Sequence, residues 1–185
     1  MDDALLAAAA AEGDQEAFTA LVERYRPYVY TIAYKIALHE DDALDITQNV
    51  LVRLVERIGS FNGTGTFRGW LAAVASNEAL SYLRRPGRRE TAMEPEIVAD
   101  LSDQRQSREG KDARDVLDAA QRRRLVEQEM QNLSPQQRAI LALRLREDMG
   151  PQEIARRLGL PARQVRVQLH RAIAKIRDAL AGESE

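Results

Sequence analysis

Cysteine is absent from the 185 residues, which removes both a disulfide framework and a thiolate metal site and agrees with a reducing compartment. Nowhere do about eighteen apolar residues run together, the length a membrane-spanning helix needs. The alanine-rich stretch at residues 4–11 follows Asp2 and Asp3 rather than a basic segment, so it reads as neither a span nor a secretory leader. Also missing is any nucleophile, base and orienting residue in a recognisable catalytic arrangement, so no enzyme activity is expected. His39 and His170 lie far apart and read as surface histidines. The carboxylates of Asp41, Asp42 and Asp45 sit near a helix start, where they complement its dipole but do not converge. No metal and no cofactor is therefore expected, and the chain reads as a soluble cytoplasmic protein without membrane insertion.

What is present is charge arranged in blocks. Residues 1–60 carry 5 Lys and Arg against 11 Asp and Glu, and residues 61–89 carry 5 against 1. Residues 90–120 carry 4 against 9, and residues 121–185 carry 13 against 8, so the overall charge of -2 conceals two basic blocks beside two acidic ones. An autonomous DNA-binding protein usually shows a basic surface throughout. This pattern points instead to DNA contact at two places, with the acidic parts facing another protein.

The strongest local pattern lies from Ser134 to Arg177. Ser134, Pro135 and Gln137 form a helix start with a Ser cap, Pro at the first position and Gln at the third. Gly150 and Pro151 open a second helix with Ile154, Ala155 and Leu158 on one face, and Gly159 ends it. A third helix follows the corner at Pro161, with an expected apolar stripe of Val165, Leu169, Ala172, Ile173 and Ile176. Two helices joined by a short glycine-containing turn make a helix-turn-helix, whose second helix enters the DNA major groove. Its outer side carries Arg163, Gln164, Val167 and Arg171, flanked by Arg166 and Gln168. Arg can grip guanine, Gln can grip adenine, and an exposed Val can touch a thymine methyl.

The first half reads as a helical bundle. Asp14 caps a helix with Phe18, Leu21, Val22 and Tyr25 on one face, Pro27 interrupts or restarts it, and Val29, Ile32, Ala33 and Ile36 repeat the spacing. A further helix turns Ile46, Val50, Leu54 and Ile58 inward and shows Asp45, Gln48, Asn49, Arg53 and Glu56 outward. A loop with three glycines, Gly59 to Thr66, leads into an amphipathic helix, Phe67 to Arg85, with Trp70 on its buried edge. Arg68, Asn77, Tyr82, Arg84 and Arg85 on that helix offer cationic, amide and aromatic groups suited to single-stranded nucleic acid. The acidic stretch 90–120, poor in periodic apolar residues, reads as a linker, with residues 113–120 a candidate helical part. It divides an all-α chain into helical domains at 1–89 and 121–185, expected to be held apart.

Three ordered segments resemble the bacterial extracytoplasmic-function sigma factors of RNA polymerase. They are Asp42-Ala43-Leu44-Asp45-Ile46-Thr47-Gln48-Asn49-Val50; Phe67-Arg68-Gly69-Trp70-Leu71 through Asn77 to Leu83-Arg84-Arg85; and Leu133-Ser134-Pro135 through Glu153-Ile154-Ala155 to Leu169-His170-Arg171-Ala172. The resemblance implies that residues 1–89 are sigma region two and residues 121–185 sigma region four. It further implies that Asp45, Gln48, Asn49 and Arg53 dock on core RNA polymerase. The glycine loop, with Ser60 and Asn62, would help to hold a flipped minus-ten base, alongside Arg68, Asn77, Tyr82, Arg84 and Arg85. Arg163, Gln164, Arg166, Val167, Gln168 and Arg171 would read the minus-thirty-five element of promoter DNA. An anti-sigma factor is a further candidate partner. Asn49 stands where the family commonly has Glu, Val55 where an aromatic is frequent, and Pro161 where a Ser cap is common. Gln164 and Gln168 also depart from the family's hydroxyl and basic residues, so the promoter sequence does not carry over. The rival reading is a stand-alone helix-turn-helix regulator with an N-terminal ligand- or partner-binding domain, which would bind DNA without polymerase.

Overall fold

The computed structural model describes residues 2–85, 122 and 124–181, and among these no β-strand occurs. The expected linker, including its candidate helical part at 113–120, lies outside the described residues. In chain order the helices are α1 (Asp3–Ala11), α2 (Gln15–Ala37), α3 (Glu40–Arg57) and α4 (Phe67–Leu83), with a 3-10 turn at Ile58–Ser60 after α3. Helical residues at 124–131 then precede α5 (Pro135–Arg146), α6 (Pro151–Leu158) and α7 (Ala162–Ala181). No described helix is long and apolar enough to cross a membrane.

Local chemistry accounts for most of the ends. The Asp14 carboxylate accepts from the backbone N–H groups of Glu16 and Ala17 at 2.9 and 3.0 Å, which starts α2. The capping box at α5 is complete, since Ser134 accepts from the Gln137 N–H at 3.2 Å and the Gln137 side chain accepts from the Ser134 N–H at 2.9 Å. Gly150 precedes Pro151 at the start of α6, and Gly159 closes it in the left-handed region at φ 64°. Leu38 performs the same closing role for α2 at φ 59°, a conformation a branched side chain seldom takes.

Two features depart from the sequence expectation in the first half. Residues 3–11 form a helix, capped by the Asp2 carboxylate, that buries Leu6, Ala7 and Ala10 against the bundle. Pro27 does not divide α2, which runs through it without a break. Its ring is exposed, and packing on both sides of the proline, from Leu21 and Tyr25 to Val29 and Ile32, holds the helix together across the missing hydrogen bond.

The second half does not stand apart from the first. Residues 137–143 of α5 are buried in an unbroken run, because α6 and α7 cover one side while α2 and α4 cover the other. A helix that is apolar around its whole circumference must be covered on all sides. Ala139, Ile140, Leu141, Ala142 and Leu143 supply that circumference, and among the described residues one hydrophobic cluster runs from α1 to α7. The facing part of α4 is small-residued, with Gly69, Ala72 and Ala73 buried, and Met149 approaches the place where a Gly69 Cβ would be to 3.1 Å.

Candidate nucleic-acid interface

The loop before α4 is shaped by its own polar groups. Asn62 Oδ1 accepts from the Thr64 N–H at 3.1 Å and from the Thr64 hydroxyl at 2.6 Å, while Gly63 and Gly65 take φ of 76° and 81°. The Ser60 hydroxyl donates to the Arg57 carbonyl at 2.7 Å. Ser60 and Asn62 are both exposed, so the loop presents them outward with its backbone. Thr66 then caps α4 by accepting from the Gly69 N–H at 3.0 Å.

On α4 the five expected residues divide. Arg84 and Arg85 are exposed at the C-terminal end. Arg68 and Asn77 face the second half of the chain and are engaged by it. Arg68 Nε donates to Glu147 Oε1 at 3.2 Å, its guanidinium lies 4.4 Å from the centroid of the Tyr28 ring, and Tyr28 donates its hydroxyl to the same Glu147 oxygen. Burial pushes the Tyr28 phenol upward, and its bond and proximity to the Glu147 carboxylate push it further. For Arg68 burial acts downward, but the hydrogen bonds and charges of Tyr28 and Glu147 outweigh it and the net shift is upward. Asn77 Nδ2 donates to the Arg157 carbonyl at 2.7 Å, and Arg157 itself reaches back to the Thr64 carbonyl at 3.3 Å.

Tyr82 lies against α3. Its side chain is 1% exposed and its hydroxyl donates to Asp45 Oδ2 at 2.6 Å. Of the residues expected to face polymerase, Arg53 pairs with the buried Glu78 of α4, which also lies 3.7 Å from Arg85. Asp45 and Arg53 thus tie α3 to α4. Three apolar residues of α3 are also left open: Leu44, Val52 and Val55 are 44%, 73% and 63% exposed. With Gln48, Leu51, Pro27 and Tyr30 two of them, Leu44 and Val52, line a groove of about 700 Å³ between α2 and α3. Gln48 is exposed beside it and Asn49 is half-buried.

In the second half, α6 and α7 form the expected helix-turn-helix. Val165, Leu169 and Ala172 are buried and Ile176 is half-buried, whereas Ile173 is 45% exposed because it lies one residue round from that line. Arg163, Arg166, Val167 and Arg171 are exposed together, at i, i+3, i+4 and i+8, with His170 on the same side. Gln164 turns inward: its Nε2 donates to Gln136 Oε1 of α5 at 3.1 Å. Gln168 is half-buried.

An α2–α4 bundle with a shaped glycine loop, followed by a helix-turn-helix with a cationic outer face, defines a two-part DNA-binding transcription protein. Residues 21–89 match the Sigma-70 region 2 family and residues 123–176 match Sigma-70 region 4. The chain is 31% identical to the ECF RNA polymerase sigma factor SigE of Mycolicibacterium smegmatis, over 94% of this chain and 66% of that protein. It is 24% identical to the ECF RNA polymerase sigma factor SigW of Bacillus subtilis, over 91% of each. The solved structure of CnrH in complex with the cytosolic domain of CnrY is similar at a TM-score of 0.59 and 25% identity, covering 97% of both chains. The chain belongs to the ECF sigma factors of RNA polymerase.

Proposed function

We propose that this chain is the promoter-reading subunit that brings core RNA polymerase to its start sites. Region four reads the minus-thirty-five element as duplex through α7. Region two holds the minus-ten strand on the exposed loop backbone, Arg68 and the α4 end at Arg84 and Arg85. The observation that carries the reading is the pairing of exposed cations on the helix-turn-helix with those at the two ends of α4, Arg68 after the glycine loop and Arg84 and Arg85 at its far end, in a chain matching both sigma regions. Core polymerase docks on the α2–α3 groove around Leu44, Leu51 and Val52 rather than on Asp45 and Arg53, since those two are already spent on α4. The domain boundaries near residues 89 and 121 follow from the same reading. The sigma factor RpoE was solved in complex with the anti-sigma factor NepR from Bartonella quintana, and an anti-sigma factor is the corresponding partner class here.

The test is a mobility shift on promoter DNA with and without core RNA polymerase, followed by run-off transcription. DNA binding and transcription that both require the core enzyme support the reading. Tight binding of an inverted repeat by the chain alone would favour the stand-alone regulator.

A further inference from the structure

Of the four asparagines in the chain, Asn62 alone is followed by glycine. That pairing carries a chemistry of its own, because a glycine nitrogen has no adjoining Cβ to shield it and can reach the side-chain carbonyl carbon of the asparagine before it. The fold leaves this pair in the open. Asn62, Gly63 and Thr64 are all exposed, and among the described residues nothing beyond the chain neighbours lies within 4 Å of the place where a Gly63 Cβ would be. Asn49 and Asn77 are half-buried inside α3 and α4, and Asn132 is exposed but precedes Leu133. Exposure and an unshielded following nitrogen therefore coincide at Asn62.

Thr64 adds what the bare dipeptide lacks. Its backbone N–H donates to Asn62 Oδ1 at 3.1 Å, and its hydroxyl donates to the same oxygen at 2.6 Å. Two donors on one carbonyl oxygen sit where negative charge develops when a nucleophile adds to the carbon behind it. In that step the Gly63 nitrogen bonds to Asn62 Cγ and gives up its proton, the bond from Cγ to Nδ2 breaks, and ammonia leaves with the proton to give a cyclic imide. Both reacting groups belong to adjoining residues, so no partner has to be brought in. Water then opens the ring, and its proton returns to the glycine nitrogen. Addition at Cγ leaves aspartate, whereas addition at the main-chain carbonyl leaves isoaspartate, whose main chain gains a methylene. The net exchange is an amide NH2 for OH, with water consumed and ammonia released, and at neutral pH the product is a carboxylate.

We propose that Asn62-Gly63 is a self-modifying site: the Thr64 donors speed imide formation, the loop converts its own amide to a carboxylate, and the protein loses its hold on the minus-ten strand with age. The inference rests on the promoter-reading function proposed above. Residues 58–67 carry no charged side chain. The product is therefore the first fixed negative charge in the loop, on an exposed residue beside the backbone assigned to a phosphate-bearing strand, and it repels that strand. The isoaspartate form also breaks the turn, because the added methylene shifts Gly63 and Thr64 relative to the side-chain oxygen. A modification that needs no enzyme sets an intrinsic lifetime on region two.

The test incubates the full chain in mildly alkaline buffer at physiological temperature and follows the peptide around Asn62 by mass spectrometry. Methyl transfer by an isoaspartate-specific methyltransferase is the second readout. Wild type should gain the mass difference between NH2 and OH at Asn62 and accept methyl groups there, while Asn132 stays unmodified. Thr64→Val keeps the N–H donor and removes the hydroxyl, so it should slow the reaction by about ten-fold, less than the roughly 10²–10³ that such a donor is worth in a water-excluded site. Thr64→Ser should restore the rate. Run-off transcription with core RNA polymerase then compares each protein with its own fresh preparation: aged wild type should fall in proportion to the modified fraction, and equally aged Thr64→Val should keep most of its output. An amide still intact at Asn62, equal modification at Asn132, or a Thr64→Val chain that reacts as fast as wild type overturns the proposal. So does a fully modified wild type that transcribes as well as the fresh protein. Fresh wild type inactive with core polymerase would instead remove the function on which the inference rests, while the mass readings still decide the chemistry at Asn62.

Discussion

Tyr82 and Asp45 meet across the α3–α4 seam, the phenol donating at 2.6 Å to a carboxylate on the preceding helix. The ring is buried and the carboxylate belongs to an exposed residue, so the bond fixes how far α4 can rotate against α3 while leaving the charge partly in water. That rotation matters because α4 carries the loop-proximal Arg68 at one end and Arg84 and Arg85 at the other.

Tyr82→Phe keeps the ring and removes only this bond. A net loss of roughly 1 kcal/mol is expected, because the exposed Asp45 regains water. Tyr82→Ala removes a buried aromatic and should cost about 3–5 kcal/mol, the range for large aromatic deletions. Urea unfolding of the two variants checks the order. If Tyr82→Phe transcribes normally from a duplex promoter while Tyr82→Ala is unstable, Tyr82 serves packing; a Phe variant that is stable yet fails at promoter melting would return the residue to DNA contact.

The Arg53–Glu78–Arg85 group predicts an asymmetry. Glu78 is 4% exposed on its side chain and depends on two half-exposed arginines, with Arg53 in direct contact and Arg85 at 3.7 Å. Arg53→Ala should therefore destabilise more than Arg85→Ala, by about 1–2 kcal/mol after allowing for the solvent around Arg53. Thermal melts at low and high salt measure both. Equal losses would mean that Arg85 shares the buried charge as fully as Arg53 does.

Helix identity was readable from the sequence wherever period and caps agreed, as at Asp14, Ser134, Gly150 and Gly159. It was not readable at residues 3–11, where alanine occupies both faces and leaves no periodic contrast. Pro27 misled because the rule for isolated helices yields to packing on both flanks. At the site, exposed polar residues were taken as available ones. Asp45, Arg53, Asn77, Tyr82 and Gln164 have polar groups that find partners only after the helices are assembled, with sequence separations from 25 to 80 residues. The five-residue apolar run in α5 carried the signal for domain contact, since a helix of a free-standing helix-turn-helix needs only one apolar side.

Alkaline pH should loosen the first half and its junction with the second. The phenols of Tyr25 and Tyr28 are both raised from the ordinary value of 10.0, by burial first and then by the Asp3 and Glu147 carboxylates they bond. A raised folded value means that the folded state holds the proton more tightly, so this stability is full below pH 10 and is lost as pH climbs above it. Burial lowers the Arg138 guanidinium to about 10, a shift opposite in sign whose contribution falls in the same range above pH 10. Unfolding midpoints between pH 8 and pH 11 should decline for wild type and decline less for the Tyr25→Phe, Tyr28→Phe double variant. Parallel curves for the two proteins would assign the loss to other groups.

The recognition helix allows the most specific prediction, because its residues now separate by what they touch. Arg163, Arg166 and Arg171 are exposed cations able to contact phosphates or guanines, Val167 is an exposed apolar group, and Gln164 is held by Gln136. An apolar side chain gains nothing from a phosphate, so Val167 reads shape or a thymine methyl if it meets DNA at all. Val167→Ala should therefore change the ranking among upstream elements at one base position, with little change in salt dependence. Arg166→Ala should lower output on every promoter, and if its partner is a phosphate the salt slope should flatten by about one. Gln164→Ala is expected to act through α5: its effect on stability should not add to that of Gln136→Ala, since the two amides share one bond. The assay is transcription by reconstituted holoenzyme over a library of upstream elements at two salt concentrations, with unfolding curves for the Gln pair. A Gln164→Ala protein of unchanged stability that alters a single base preference would place this amide on DNA and make its contact with Gln136 a resting-state interaction.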